Sequence, residues 1–183
     1  MKVTMVAVVT IDGKLARNSA HFSDWSSRED KKIFVSLTKR AGVMIIGHNT
    51  YQTLPAPLPG RLHVVLTREA ANKEDIPGLV EFTDQQPEDV LAGLEARSYT
   101  EAVLGGGSQI NALFLQRGLV DEISLTIEPI VFGTGIDLLE GMELDLRARL
   151  LEVERLNEGG TVWLRYALDR TPGQPAPGDS GSV

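Results

Sequence analysis

Short apolar runs recur along the chain and alternate with amphipathic stretches. Residues 3–9, 43–46, 63–66, 79–82, 102–104 and 122–127 each read as a buried strand, since they are brief and rich in β-branched and aliphatic residues. Between them the period changes. Ile33, Phe34, Leu37 and Ala41 share one face of a helix beginning near Ser27, and Val90, Leu91 and Leu94 share another. Ile110, Leu113, Phe114 and Leu119 do the same after a triple glycine. Strands alternating with helices of this length predict βαβ units, hence an α/β fold with a mostly parallel sheet covered on both faces. The end of the chain differs. Residues 150–155 and 161–168 flank Asn157-Glu158-Gly159-Gly160, which predicts a closing antiparallel hairpin.

Residues 1–169 are expected to form one domain, a length that can bury a substantial core. Residues 170–183 are rich in Pro, Gly and Ser and are expected to be a flexible tail. The formal charge of -7 argues against a nucleic-acid partner or an anionic membrane surface, because phosphate binding needs clustered Lys and Arg. Cysteine is absent, which removes disulfides and thiolate chemistry. His21, His48 and His63 lack metal-ligand spacing, so no metal site is expected. The first apolar run is too short to span a bilayer, and no small-residue cleavage pattern follows it. The cytoplasm is the expected location.

Two junctions suggest ligand chemistry. In Ala102-Val-Leu-Gly-Gly-Gly-Ser-Gln-Ile a strand runs through three glycines into a helix. Such a turn allows close approach of a ligand, and free N–H groups at the helix start attract phosphate. The spacing is not the Rossmann fingerprint, and a plain tight turn explains the glycines equally well. In Val43-Met-Ile-Ile-Gly-His-Asn-Thr-Tyr, Gly47 ends a strand and Asn49 or Thr50 is placed to cap the next helix. Both junctions would lie at the carboxyl ends of parallel strands, where open α/β sheets bind ligands. Arg68 and His48, just past strand ends, are placed to meet a further phosphate, although a solvated loop arginine is the commoner case. Asp30 lies beside the apolar stripe of the first helix, where desolvation would raise its pKa and suit it to proton chemistry. Ser27 three residues earlier makes a capping box the simpler reading of the same spacing.

Taken in order, these segments resemble the dihydrofolate reductase superfamily, including the reductase half of riboflavin biosynthesis. The resemblance rests on VTMVAVVTIDGKLA, on Trp25 with Asp30 and Phe34, on IIGHNTYQTL and on PLPGRLHVVLTR. AVLGGGSQINALFLQRGLVDEISLTIEPIVFGTG and the closing strand pair complete it. It implies a three-layer dihydrofolate-reductase-like fold and NADPH-dependent reduction of 7,8-dihydrofolate to tetrahydrofolate, with NADPH ahead of NADH. Asp30 then resembles the buried acid that binds the pterin and supports its protonation, and Thr126 the threonine bonded to that acid. Val6, Ala7 and Phe34 would wall the ring pocket, and Trp25 would ride on a closing loop, 12–25. Leu58 and Arg61 would hold the substrate's benzoyl-glutamate tail. Ala7, Leu15, Gly47, His48, Asn49, Thr50, Leu66, Thr67, Arg68 and the run Leu104, Gly105, Gly106, Gly107, Ser108, Gln109 and Ile110 match cofactor positions.

The prolines usual around the tryptophan are missing from Asp24-Trp-Ser-Ser-Arg-Glu-Asp, and His48 and Ser108 stand where basic residues are usual. TIDGKLA and GLVDEISLTIEP resemble the riboflavin-pathway reductases more closely. Reduction of a phosphorylated ribosylamino-pyrimidine is therefore the alternative activity, and a non-catalytic dinucleotide-binding module a second. The expected partner is a small-molecule substrate, and the resemblance allows a monomer or a homodimer.

Overall fold

The computed structural model describes residues 1–21, 23–140 and 143–168, so the expected tail at 170–183 lies outside the described residues. An eight-stranded sheet organises the chain. Its strands are β1 (Lys2–Thr10), β3 (Val43–Gly47), β4 (Leu62–Leu66), β5 (Val80–Thr83), β6 (Glu101–Leu104), β7 (Glu122–Glu128), β9 (Ala148–Arg155) and β10 (Val162–Leu168). Their order is β5-β4-β3-β6-β1-β7-β10-β9. Every pairing from β5 to β7 is parallel, whereas β10 runs antiparallel to both β7 and β9. The alternation of apolar runs and helices thus gives the expected parallel sheet, closed by the expected hairpin.

Among the described residues, four α-helices cover the sheet: α1 (Arg28–Ala41), α2 (His48–Tyr51), α3 (Pro87–Ala96) and α4 (Ser108–Gln116). Alternate residues of each strand serve opposite layers. Val3, Met5, Val43, Ile45, Val64 and Leu104 pack with Val90, Leu91 and Leu94 of α3 and Phe114 and Leu115 of α4. Val6, Met44, Ile46, Val65 and Val103 pack instead toward Phe34 and Leu37 of α1 and toward Tyr51, Leu54 and Leu58. The result is three layers.

Several details depart from the sequence reading. Leu119 lies past the end of α4, because Gly118 turns the chain at φ +64°. Neither Asn49 nor Thr50 caps α2. Gly47 is the N-cap and both residues fall inside the helix. A second small sheet pairs β2 (Lys14–Ala16) with β8 (Ile136–Asp137) and ties the start of the 12–25 loop to the segment after β7. Two- and three-residue strands carry too little periodicity to be read from sequence. Among the described residues, no helix is long and apolar enough to cross a membrane.

Candidate active site

The site begins at the first turn of α1. Ser27 is the N-cap, and its side chain accepts from the backbone N–H of Asp30 at 3.2 Å. In a reciprocal capping box the Asp30 carboxyl would accept from Ser27 N in return. It does not. Ser27 N donates instead to Oε1 of Glu128 at 2.6 Å, leaving the Asp30 carboxyl free to turn toward the sheet. There Asp30 is buried, with 7% of its surface exposed, and it is hydrogen-bonded to the side chains of Thr126 and Ser26. Burial pushes its carboxyl above the ordinary carboxylate range. The two hydrogen bonds oppose that shift, the charge of Glu128 adds to it, and Lys31 offsets a part. The desolvated acid and the capping serine are therefore both present, with the acid's own side chain engaged elsewhere.

Thr126 lies opposite Val8 in the parallel β1–β7 register, and Val6 lies opposite Ser124. Alternation puts Val6, Val8 and Thr126 on the α1 side of the sheet, with Phe34 packed among the apolar residues of that layer. Ala7 falls on the opposite face with Met5, while Val8 shares the α1 side with Val6. Trp25 ends a three-residue 3-10 turn (Ser23–Trp25) and meets Phe132 edge to face at 5.1 Å. Arg17 stacks over the same Phe132 ring at 4.0 Å. The segment holding Phe132 is anchored by Asp12, which accepts from the backbone N–H groups of Phe132 (3.1 Å) and Gly133 (2.7 Å). The Thr10 hydroxyl and these N–H groups hold the Asp12 carboxyl down at about 2.

Arg61 sits at the other end of α1. It is 5% exposed, and its guanidinium donates to the carbonyl of Pro59 at 3.3 and 3.2 Å and to the hydroxyl of Thr38. Among the described residues it forms no ion pair. A guanidinium has five donors, so this buried cation keeps N–H groups available for an anion. His63, wholly buried, supports the loop before it. Its Nε2 accepts from Leu58 N at 3.2 Å, while Nδ1 meets the Leu79 carbonyl at 3.1 Å. Thr38 and Glu128 escaped the sequence reading, although each carried a signal. Thr38 follows Phe34 by one helical turn, and Glu128 follows Thr126 by one strand repeat.

The two glycine junctions meet. Gly47 N donates to Gly106 O at 2.7 Å, and Gly105 N donates to Ile45 O at 2.8 Å. A Cβ on Gly47 would stand 2.9 Å from Ile110 Cγ1, and one on Gly107 would stand 2.8 Å from Thr50 Oγ1. Gly106 itself has φ +91°, and the Gly106–Gly107 peptide is cis. Gly107 caps α4 without a side-chain hydrogen bond, so the leading N–H groups of that helix have no side-chain cap. The Ser108 hydroxyl donates to Glu140 at 2.9 Å. Leu66 and Leu104 are buried strand ends beside this junction, His48 lies near Phe82, and Leu15 is half-buried on β2. Asn49, Arg68 and Gln109 are exposed, while Thr67 accepts from Glu69 N at 3.2 Å. The residues present suit the diphosphate of a bound dinucleotide: uncapped helix amides, glycines at the close approach and an exposed arginine past β4. Substituting Gly107 by alanine is expected to overpack this junction. The melting temperature should fall by an amount corresponding to roughly 1–3 kcal/mol, and a fluorescence titration should show at least about tenfold weaker dinucleotide binding.

The sequence model of the RibD C-terminal domain matches residues 59–162, from the loop carrying Arg61 to the start of β10. The chain belongs to the RibD C-terminal domain family. Within that family's wider surroundings it is similar to dihydrofolate reductase of Neisseria meningitidis serogroup A, 29% identical over 174 residues that cover 91% of this chain and 99% of that enzyme. It is 22% identical over 204 residues to the riboflavin biosynthesis protein RibD of Aquifex aeolicus, covering 89% of this chain but only 57% of that protein. Among solved structures, a pyrimidine reductase-like protein of Corynebacterium diphtheriae superposes with TM-score 0.76 at 18% identity, covering 93% and 92% of the two chains. Dihydrofolate reductase of Enterococcus faecalis, solved with NADP(H), superposes with TM-score 0.69 at 20% identity, covering 92% and 96%. These superpositions establish the RibD/dihydrofolate-reductase-like fold for this member of the RibD C-terminal domain family.

Proposed function

We propose that this protein is a reductase that transfers a hydride from NADPH to 7,8-dihydrofolate, giving tetrahydrofolate. The observation that carries the reading is the buried Asp30 carboxyl, bonded to Thr126 and Ser26 and raised in pKa. A pterin presents an amino group and ring nitrogens along one edge, and a single carboxyl can pair with that edge. The nicotinamide dinucleotide supplies the hydride when bound. Gly47, Gly105 to Gly107 and the start of α4 would hold its phosphates. Val6, Val8 and Phe34 would orient the pterin ring and Asp30 would support protonation beside the carbon that receives the hydride, while Trp25 and its loop exclude water. Arg61 would pair with the carboxylate of the glutamate tail.

A second reading is reduction of a phosphorylated ribosylamino-pyrimidine, as in riboflavin biosynthesis. It is favoured by the family match over 59–162 and by TIDGKLA, whose Asp12 and Lys14 are anchored to Gly133 and Asp137. Steady-state NADPH oxidation with each substrate in turn separates the two. Turnover with dihydrofolate supports the first reading, and turnover with the phosphorylated pyrimidine alone supports the second. Arg68 is exposed and forms no ion pair among the described residues, so it is available for the 2′-phosphate that distinguishes NADPH from NADH. Arg68→Ala should raise KM for NADPH roughly tenfold and leave that for NADH unchanged, which reflects loss of one charged hydrogen-bonding group. Equal losses with both cofactors would point to general positioning.

A further inference from the structure

Outside the groups already given a role, one buried carboxylate stands out. Glu128 is the last residue of β7, two positions after Thr126 on the same face, and only 4% of it is exposed. Both its oxygens are engaged. Oε1 accepts from the backbone N–H of Ser27 at 2.6 Å, and Oε2 accepts from the hydroxyl of Thr161 at 2.6 Å. Thr161 is held in turn by Asn157, whose amide nitrogen also reaches Glu29 at 3.4 Å. Glu128 therefore joins three separate pieces of chain: the end of β7, the N-cap of α1 and the closing hairpin. No cation pairs with it among the described residues. A buried carboxylate without a cation is costly, and two neutral donors compensate for it only in part.

We propose that Glu128 is a positioning residue that clamps the turn carrying Asp30 against β7 and sets a second buried carboxylate beside that acid. The geometry accounts for both halves. By taking Ser27 N, the hydrogen bond that Asp30 would otherwise accept, Glu128 releases the Asp30 carboxyl to face Thr126. The same clamp keeps a negative charge beside Asp30 in a site from which water is largely excluded, where like charges interact strongly. The other charged groups nearby do little to cancel it. Lys31 on α1 acts in the opposite sense on Asp30, Glu29 on α1 is itself acidic, and Asp12 beyond β1 is tied to Thr10, Phe132 and Gly133. From the hairpin the neutral Thr161 bonds Glu128 and the neutral Asn157 bonds Thr161, while the charged Arg155 and Glu158 pair with each other on the exposed turn.

The proposal rests on Asp30 being the acid of the site, and its test does not require the substrate to be known. Carbon-13 NMR of the Asp30 carboxyl, assigned by its loss in Asp30→Asn, follows that group's titration in the wild type and in Glu128→Gln. The amide variant keeps the shape and the acceptor for Ser27 N but removes the charge. Its Asp30 midpoint should fall by roughly half to one pH unit, as expected for loss of a nearby like charge. Glu128→Ala should show the same fall together with a lower melting temperature, and either variant that folds carries the test. If dihydrofolate is the substrate, the pH above which hydride transfer declines should move down by the same amount. An unmoved Asp30 midpoint in a folded variant would overturn the proposal. A moved midpoint without dihydrofolate turnover would leave Glu128 in its role and remove the folate reading instead.

Discussion

Asp30→Asn should lower the rate of hydride transfer by roughly 10²- to 10⁴-fold, the range expected when a positioned proton donor is removed. Cofactor affinity should remain close to that of the wild type, because Asp30 lies on α1 and the proposed phosphate cradle on the β3–α2 and β6–α4 junctions. The same substitution should make the protein more stable at neutral pH. Asp30 has a folded-state pKa above its unfolded value, so its ionised form is less favourable in the fold than in the unfolded chain. Its contribution to stability is present below the unfolded pKa and is lost as pH rises through the folded one. The variant should therefore melt roughly 2–4 °C higher near pH 7, with the gap closing as pH falls toward the ordinary carboxylate range. Thermal unfolding across pH checks the sign. A variant less stable at pH 7 would return Asp30 to a structural role.

The second large effect concerns Arg61. Replacing it by alanine should raise KM for dihydrofolate by roughly 10- to 100-fold while changing kcat little, since a bidentate charged contact contributes about 1.5–3 kcal/mol. The effect should vanish for a dihydropterin that lacks the glutamate tail. That difference separates the proposed role from a structural one, because Arg61 also bonds Pro59 and Thr38 and its loss would loosen the PLPGR loop for any substrate. Arg61→Lys should recover only part of the affinity. An ammonium reproduces the charge, but it cannot hold Pro59, Thr38 and a carboxylate in one plane. Equal increases in KM for both pterins would assign Arg61 to loop support.

The sequence carried most of the sheet because its signals are local. A parallel strand buried on both faces is a short aliphatic run, and residues 43–46 and 63–66 needed no partner to be recognised as such. The contact of the two glycine junctions was anticipated only as a pair of strand ends; that Gly47 touches Gly106 depends on β3 and β6 being neighbours in the sheet. Asp30 illustrates the limit more sharply. Its spacing from Ser27 fitted a capping box, and only the position of Glu128, 101 residues away from Ser27 in the chain, shows why its carboxyl points elsewhere. The face of β1 that meets α1 was likewise set by register with β7, which turns Val8 rather than Ala7 toward that helix. Long-range choices of this kind leave no periodic trace near the residues they govern.

Hydride transfer to a pterin held by Asp30 is read out by a single-turnover reaction using NADPH deuterated at the transferring carbon, with 7,8-dihydrofolate and purified protein. Mass spectrometry of the product should find one deuterium in tetrahydrofolate for the wild type, with transfer slowed at least about a hundredfold in Asp30→Asn. Tetrahydrofolate formed at the same rate by both proteins, or no deuterium transfer by the wild type while it still binds the cofactor, would contradict Asp30-assisted reduction of dihydrofolate.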